Sequence, residues 1–256
     1  MAIVLIASGV ILLGSFLFAM LGLGGSMVYV PVLHWLGFDL KTVAIPLGLL
    51  LNGMTTLFAL VTFSRSRLVD WRGGWSMGLA AVLAAPLGAM IEPAAPHALL
   101  LGGFAVLVAA AALRMFWQVR QQEPAAHAML PLPRRLLVGG LCGLGIGFIA
   151  GLLGVGGGFI AVPLFMAMGY PTKRAAGTTA MVASFSSFSG VVGHAARGHF
   201  PLLLTLLAVV AVCAGALSGA RFMVARTKTG GIKLTYATLL LVIAVKLAWE
   251  AFHYHI

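Results

Sequence analysis

Hydrophobic residues occur along the chain in ten long runs separated by short polar connections. Most of the runs have the length of about 20 residues that an α-helix needs to cross a bilayer. Two shorter runs, 24–37 and 156–169, either pair with the preceding run as a hairpin or tilt through a thinned region. The pattern predicts an all-α polytopic membrane protein with eight to ten hydrophobic segments, at 3–20, 24–37, 41–63, 74–91, 97–119, 136–152, 156–169, 172–196, 201–224 and 232–253.

The second half of the chain repeats the first at a shift of 132 positions. Glycines, prolines and charged residues keep register under this shift, which indicates an internal duplication. We therefore predict two repeats, 1–119 and 136–256, joined by the polar linker 120–135. The matched pairs are Leu12/Leu144, Phe16/Phe148, Leu21/Leu153, Gly22/Gly154, Gly24/Gly156, Gly25/Gly157, Val30/Val162, Pro31/Pro163, Gly37/Gly169, Lys41/Lys173, Ala44/Ala176 and Arg65/Arg197.

Each repeat contains a glycine-rich break followed by a proline, at 22–31 and at 154–163. Irregular backbone at membrane depth is tolerated only where protein or a cavity covers it. Glycines also let helices pack closely, but a break in both repeats favours a central binding site. The helix that restarts after each break directs a positive dipole end at that site, which suits an anion. The break residues expected to contact substrate are Gly24, Gly25, Ser26, Gly156, Gly157 and Gly158.

The distribution of charge predicts the topology. The formal net charge is +11, but 61% of the residues are hydrophobic and the basic residues lie in short loops, which fits topology signals and argues against nucleic-acid binding. If the ten segments alternate, 13 of the 16 basic residues fall on one side, and Lys41, Arg197 and Lys246 fall on the other. Each repeat then crosses an odd number of times, so the repeats are inverted. Both termini are predicted outside the cytoplasm, with the linker inside.

Segments 41–63 and 172–196 are equivalent under the duplication, and both carry polar side chains near their middle. A single hydroxyl in a membrane helix usually bonds back to a carbonyl one turn earlier, but a concentration in both repeats favours a shared polar cavity. The shift superposes Asn52 on Ser184, and we expect these two residues to face one another across the cavity. Neutral amides and hydroxyls can bind an oxyanion without burying a lysine. The candidates are Asn52, Thr55, Thr178, Thr179, Ser184 and Ser187.

Three further polar residues lie near segment ends. His194 is interpreted as a packing histidine that could also accept a proton near neutral pH. Arg65 and Arg197 end equivalent helices, and Arg197 is a candidate for collecting anions at the outer mouth, because that side is otherwise nearly free of basic residues. The five acidic residues lie at segment ends or in the linker, which argues against a carboxylate-based cation site.

The sequence lacks the motifs that mark nucleotide-binding, zinc and hydrolase sites. No phosphate-binding lysine loop, zinc motif or nucleophile elbow occurs, so the sequence predicts no cofactor, no metal and no enzyme. Cys142 and Cys213 lie far apart in apolar segments without a CxxC pattern, which argues against a disulfide.

The two breaks and the stretch 175–179 resemble the sulfite exporter TauE/SafE family, also called the toluene-sulfonate uptake permease family. The motifs are Gly22-x-Gly24-Gly25-x5-Pro31 and Gly154-x-Gly156-Gly157-Gly158-x4-Pro163. The first copy departs from the second at Ser26, which replaces the third glycine, and at 45–47, where Ile-Pro-Leu stands in place of Gly-Thr-Thr. The resemblance covers nearly the whole chain and implies a bacterial inner-membrane carrier of sulfite, thiosulfate or organosulfonates.

We therefore expect a secondary transporter, in particular an exporter, whose partners are a small anion and the lipid bilayer. One alternative is an anion channel, which would pass current and show neither saturation nor counterflow. Another is a membrane sulfur-relay enzyme, which replacement of Cys142 and Cys213 by alanine would disable. The sequence leaves open the anion, the direction, proton coupling and the oligomeric state.

Overall fold

The computed structural model describes residues 2–120, 129–225, 238 and 241–249, and these residues form helices with short connections and no strand. Seven of the described helices, namely α1, α3, α4, α5, α6, α8 and α9, are long and apolar enough to cross a membrane. The prediction of an all-helical polytopic membrane protein is confirmed. The helices are α1 (Ala2–Leu21), α2 (Ser26–Trp35), α3 (Ile45–Arg65), α4 (Trp71–Ile91), α5 (His97–Arg120), α6 (Leu132–Leu153), α7 (Gly158–Ala167), α8 (Thr172–His194) and α9 (Leu202–Ala225), followed by a helical stretch at 241–249.

Helix ends follow local chemistry. Asp70 begins α4, and its carboxylate accepts the Gly73 N–H at 3.1 Å. Gly154 ends α6 in the left-handed conformation, as glycine commonly does at a helix C-terminus. Helix α6 begins at Leu132, four residues before the predicted start at 136, because the proline after Leu132 suits a first helical turn. Residues 121–128 of the predicted linker lie outside the described residues.

Contacts between helix termini define two ends of the bundle. At the Lys41 end, Lys41 Nζ donates to the carbonyl oxygen of Ala95 at 2.7 Å, which joins the start of α3 to the start of α5. At the Asp70 end, the Asp70 N–H donates to Thr178 Oγ1 at 3.0 Å, which joins the start of α4 to the start of α8. Helix α3 therefore runs from the Lys41 end to the Asp70 end, and α8 runs in the opposite direction.

Two ridges of small residues hold helices of different repeats together. On α6, a Cβ added at Gly147 or Gly151 would overlap a backbone carbonyl of α4, so this pair packs backbone against backbone. On α9, Gly215 and Gly219 pack in the same way against α1. The shift of 132 positions exchanges these two helix pairs, so the packing follows the duplication.

Helices α3 and α8 occupy the centre of the bundle and are its most buried long helices. The short helices α2 and α7 pack against them. At the Asp70 end, the Leu130 N–H donates to the Met168 carbonyl at 3.1 Å, so the start of α6 and the end of α7 lie close together. Large apolar side chains of the outer helices, such as Leu83, Leu137 and Val210, are exposed, as lipid-facing residues would be.

Candidate functional site

The two glycine-rich breaks meet at the centre of the bundle. A Cβ added at Gly158 would overlap the carbonyl oxygen of Leu23, so the second break lies directly against the first. Each break also contacts the opposite half of the chain, because a Cβ at Gly22 would overlap the Ala176 carbonyl and one at Gly154 would meet Ile45. The breaks therefore join the two halves of the sequence.

Asn52 is the residue that both breaks enclose. Its Oδ1 accepts the Ser26 N–H at 3.0 Å, and its Nδ2 donates to Ser187 Oγ at 2.8 Å. A Cβ at Gly24 would overlap Asn52 Oδ1, and one at Gly156 would overlap Asn52 Nδ2. The side chain is 0% exposed. One amide thus connects the first break, the second break and α8.

The hydroxyls of α3 and α8 form a second contact one turn away from Asn52. Ser184 Oγ donates to the Ala180 carbonyl at 2.7 Å and lies 3.0 Å from Thr56 Oγ1. Thr56 Oγ1 in turn donates to the Asn52 carbonyl at 2.9 Å. The hydrogen-bond partner of the Asn52 amide on α8 is therefore Ser187, whereas Ser184, one helical turn earlier, contacts Thr56. That Asn52 and Ser184 face one another across a cavity stays a prediction.

Tyr29 contributes a polar group that the sequence interpretation did not select. Its hydroxyl lies 3.2 Å from Thr55 Oγ1, and its ring is completely buried. Thr55 Oγ1 also lies 2.7 Å from the Leu51 carbonyl, to which it donates. The available signal was a phenol in the short helix after the first break, at a position where the second repeat has Ala161.

Two predicted residues with unpartnered hydroxyls are also buried. Ser26 and Thr179 are 0% exposed, and neither side-chain oxygen has a hydrogen-bond partner among the described residues. A buried hydroxyl without a partner is costly. The Ser26 hydroxyl belongs to the residue whose N–H binds Asn52, so it lies beside the centre of the site.

Gly25 and Gly157 are equivalent in sequence but differ in backbone conformation. Gly157 has φ +70°, whereas Gly25 has φ −106°. The Tyr29 side chain of the following helix packs against Gly25, since a Cβ there would overlap the Tyr29 hydroxyl. Position 25 therefore requires glycine because a side chain would not fit there, and not because of the backbone conformation.

Other predicted site residues lie at the ends of the bundle. Thr178 accepts the Asp70 N–H and donates to the Arg174 carbonyl at the Asp70 end. His194 is 4% exposed, and its Nε2 lies 2.9 Å from the Gly151 carbonyl near the Lys41 end. Arg197 is exposed at that same end. These three residues are not in contact with Asn52.

The electrostatics at the centre come from neutral groups. The N-terminal ends of α2 and α7 lie beside Asn52, and each helix has ten residues, about 15 Å in length, or half the thickness of the hydrocarbon core. The hydrogen bonds of Asn52, Ser184 and Ser187 are to neutral groups. Two positive dipole ends and neutral donors can stabilise an anion.

A family model described as sulfite exporter TauE/SafE matches residues 6–247, nearly the whole chain. The chain belongs to the sulfite exporter TauE/SafE family. The resemblance inferred from the glycine-rich motifs is confirmed, and the chain is a multi-pass membrane protein of a transporter family. Comparisons with curated proteins and with solved structures gave no match.

In this TauE/SafE member, both motifs that carry the resemblance lie at the centre, around Asn52. Within the described ranges, no group of three or more His, Cys, Asp or Glu side chains is arranged to hold a metal ion. Cys142 and Cys213 are free thiols and are partly buried. These observations assign no function to either cysteine.

At the Asp70 end of this TauE/SafE chain, a charged network joins the starts of α4 and α6 to the connection between α7 and α8. Asp70 Oδ2 accepts from Arg135 Nη1 and from the Tyr170 hydroxyl, both at 2.8 Å. Burial opposes ionisation of Asp70, but the Gly73 N–H, the Tyr170 hydroxyl and the charges of Arg174 and Arg135 together lower the pKa below its ordinary value of 3.8. Burial and the Asp70 carboxylate raise the pKa of Tyr170 to about 12.

Asp70→Asn should therefore lower the melting temperature at pH 7 by several degrees. Each hydrogen bond to a charged group contributes about 1.5–3 kcal/mol. Because the pKa of Asp70 is lowered by folding, its stabilisation is present above about pH 4 and lost at lower pH. The melting temperatures of the two proteins should differ from pH 5 to pH 8 and converge at more acidic pH. Tyr170→Phe, which removes one bond, should show a smaller difference, and a constant difference at all pH values would contradict this account.

Proposed function

We propose that the chain is a secondary carrier that exports small sulfur-containing anions, such as sulfite, thiosulfate or organosulfonates, by alternating access. The observation that carries the proposal is Asn52, which is completely buried and is held between the glycine-rich breaks of both repeats. Paired helix breaks at one central position are typical of transporters. Family membership favours sulfite and related anions.

An oxyanion would exchange hydrogen bonds with the groups around Asn52. A carboxamide carries two N–H groups, and only one of them is donated to Ser187. The N–H of Ser26, its unpartnered hydroxyl and the hydroxyl of Ser187 supply further donors. We assign Gly24, Gly156 and Gly158 to close backbone approach, because side chains there would fill the space between the breaks. Neutral donors would bind the anion without trapping it.

Alternating access requires two halves that can move against each other. We propose inverted repeats, 1–119 and 136–256, joined by a cytoplasmic linker. The proposal is supported by the opposite directions of α3 and α8 and by the exchange of the α1–α9 and α4–α6 pairs under the 132-residue shift. Ser26, Asn52 and Ser187 are each 0% exposed, so movement at one end must open a path to them. Complete burial favours a carrier over the alternative of a channel, which needs a continuous path.

We also propose that the Asp70 end faces the cytoplasm of a bacterial inner membrane. The basic residues of α3, α4, α6 and α8 concentrate at this end, for example Arg65, Arg72, Arg135 and Arg174. The Lys41 end would then face outwards with Arg197 at its mouth, and His194 would be the candidate for proton coupling.

Reporter fusions test this orientation. A fusion at Gln122 should report the cytoplasm, and one at Ile256 should report the opposite side, because the positive-inside bias places the linker inside. A reporter that is active only in the cytoplasm and one that is active only outside it are fused at both positions, so each position is a control for the other. Fusions that report the same side would contradict both the odd number of crossings and the inverted repeats.

The substrate class is tested by ligand-induced stabilisation of the purified protein. Binding to the folded state raises the melting temperature in a concentration-dependent way. Sulfite, thiosulfate or sulfoacetate should produce a shift, whereas acetate at the same ionic strength should not. Equal shifts with all of these anions, or none with any, would contradict a site for sulfur-containing anions.

A further inference from the structure

A cavity of about 250 Å³ opens between α3 and α9 at the Asp70 end. We call it the α3–α9 pocket, and its lining includes Thr62, Arg65, Ser66, Leu217 and Arg221. Thr62 lies ten residues after Asn52 on the same helix, which is about 15 Å along the helix axis. The volume can hold a small oxyanion together with several waters, each of which occupies about 30 Å³.

The α3–α9 pocket is basic. Arg65 and Arg221 are exposed, and within the described part of the chain neither guanidinium has an ion-pair or hydrogen-bond acceptor. None of the described residues that line the pocket carries a carboxylate. Thr62 Oγ1 and Ser66 Oγ each donate to a carbonyl of α3, so the arginines are the donors that remain available. Guanidinium groups match the geometry of oxyanions.

The equivalent place at the Lys41 end is packed differently. The 132-residue shift converts the α3–α9 pair into the α8–α4 pair and places Ala89 where the pocket has Arg221. There Gly193 lies directly against α4, since an added Cβ would be 2.7 Å from the Ala89 Cβ and 3.0 Å from the Pro86 Cα. The arginine pair and the open space are thus features of the Asp70 end.

We propose that the α3–α9 pocket is a second anion site, which binds sulfonates and sulfur oxyanions before they reach Asn52. The inference rests on the proposed function for its role in transport, but binding itself is independent of transport. A lipid phosphate has the same chemistry as a free oxyanion, so the experiment must separate these two sources. Arg65 and Arg221 hold the anion, and the pocket raises its local concentration at the cytoplasmic end.

The test places a cysteine in the pocket. Leu217→Cys is made in full-length protein in which Cys142 and Cys213 are replaced by alanine, and Val61→Cys provides a second pocket position in case the first variant is not monodisperse. The rates of labelling with two methanethiosulfonate reagents, one sulfonate and one trimethylammonium, are compared in phosphatidylcholine nanodiscs. The rate ratio corrects for general accessibility of the thiol.

Arg65→Gln together with Arg221→Gln should lower the sulfonate-to-ammonium rate ratio about 10-fold, because two nearby positive charges are removed. Arg72→Gln, which removes an exposed charge at the same end outside the pocket, should lower it less than about 2-fold. Sulfoacetate should slow labelling with both reagents when the arginines are present and not when they are absent. An unchanged ratio in the double variant, or no protection by sulfoacetate, would overturn the proposal.

Two further measurements distinguish free sulfonates from lipid phosphate as the ligand of the pocket. If protection by sulfoacetate disappears when phosphatidylglycerol is included at constant ionic strength, the pocket binds lipid phosphate and the proposal is overturned. If protection persists, the site takes free sulfonates. Protection in a protein that fails to transport sulfur anions would contradict the proposed function alone, whereas transport without protection would contradict this inference alone.

Discussion

Alanine at Gly24 or Gly156 should abolish anion transport, whereas alanine at Gly37 should leave it nearly intact. Gly24 and Gly156 have φ of +76° and +72°, a conformation that costs an L-residue about 1–2 kcal/mol. A Cβ at either position would also overlap the Asn52 amide, and overpacking typically costs about 1–3 kcal/mol. Gly37 has φ +90° but nothing within 4 Å of an added Cβ, so it carries only the backbone cost.

Comparison with Gly37→Ala separates the effect of backbone strain from the effect of filling the space beside Asn52. Initial transport rates in proteoliposomes should fall at least about 30-fold for the two break variants, since together these costs amount to about 2–5 kcal/mol at Asn52. The melting temperature should fall for all three variants. Break variants that transport at the parental rate would show that the space between Gly24, Gly156 and Asn52 is not used by the substrate.

Asn52→Leu should eliminate high-affinity anion binding. Leucine has a similar size but leaves the Ser26 N–H and the Ser187 hydroxyl without a partner in a fully buried position. Each unsatisfied group costs about 1–3 kcal/mol, and loss of one donor to a charged ligand weakens binding roughly 5- to 150-fold. Ser187→Ala should weaken binding within the same range, because it removes one donor and the partner of the Asn52 amide.

Equilibrium binding of sulfite to purified variants measures this effect. Ser218→Ala is the matched control, since this exposed hydroxyl on α9 donates only to its own helix. Only monodisperse variants are compared, at a temperature well below the melting temperature of each. Parental affinity in both Asn52→Leu and Ser187→Ala would remove these residues from the site and redirect the search to Tyr29, Thr55 and the Ser26 hydroxyl.

The helices and the location of the breaks could be predicted from sequence because their signals are local. Apolar run length fixes a spanning helix, and a left-handed glycine such as Gly154 ends one wherever it occurs. The duplication then identified Asn52, Thr55, Ser184 and Ser187 as polar groups at equivalent depth. All four are buried in α3 and α8 at the centre of the bundle.

The partners within the site could not be predicted, because they depend on how helices pack. The register between α3 and α8 pairs Asn52 with Ser187, although the duplication superposes Asn52 on Ser184. The bond between Asp70 and Tyr170 joins residues 100 positions apart, and no local pattern indicates it. Thr178 accepts the Asp70 N–H, a contact that depends on how the start of α4 packs against α8.

Counterflow in proteoliposomes tests the central claim most directly. Vesicles loaded with unlabelled thiosulfate are diluted into a trace of radiolabelled thiosulfate, and a carrier accumulates the label transiently above its external concentration. The account predicts an overshoot with the parent, a normal overshoot with Ser218→Ala and none with Asn52→Leu. A parent that equilibrates the label without an overshoot, or an Asn52→Leu variant with a parental overshoot, would contradict a carrier whose site is built around Asn52.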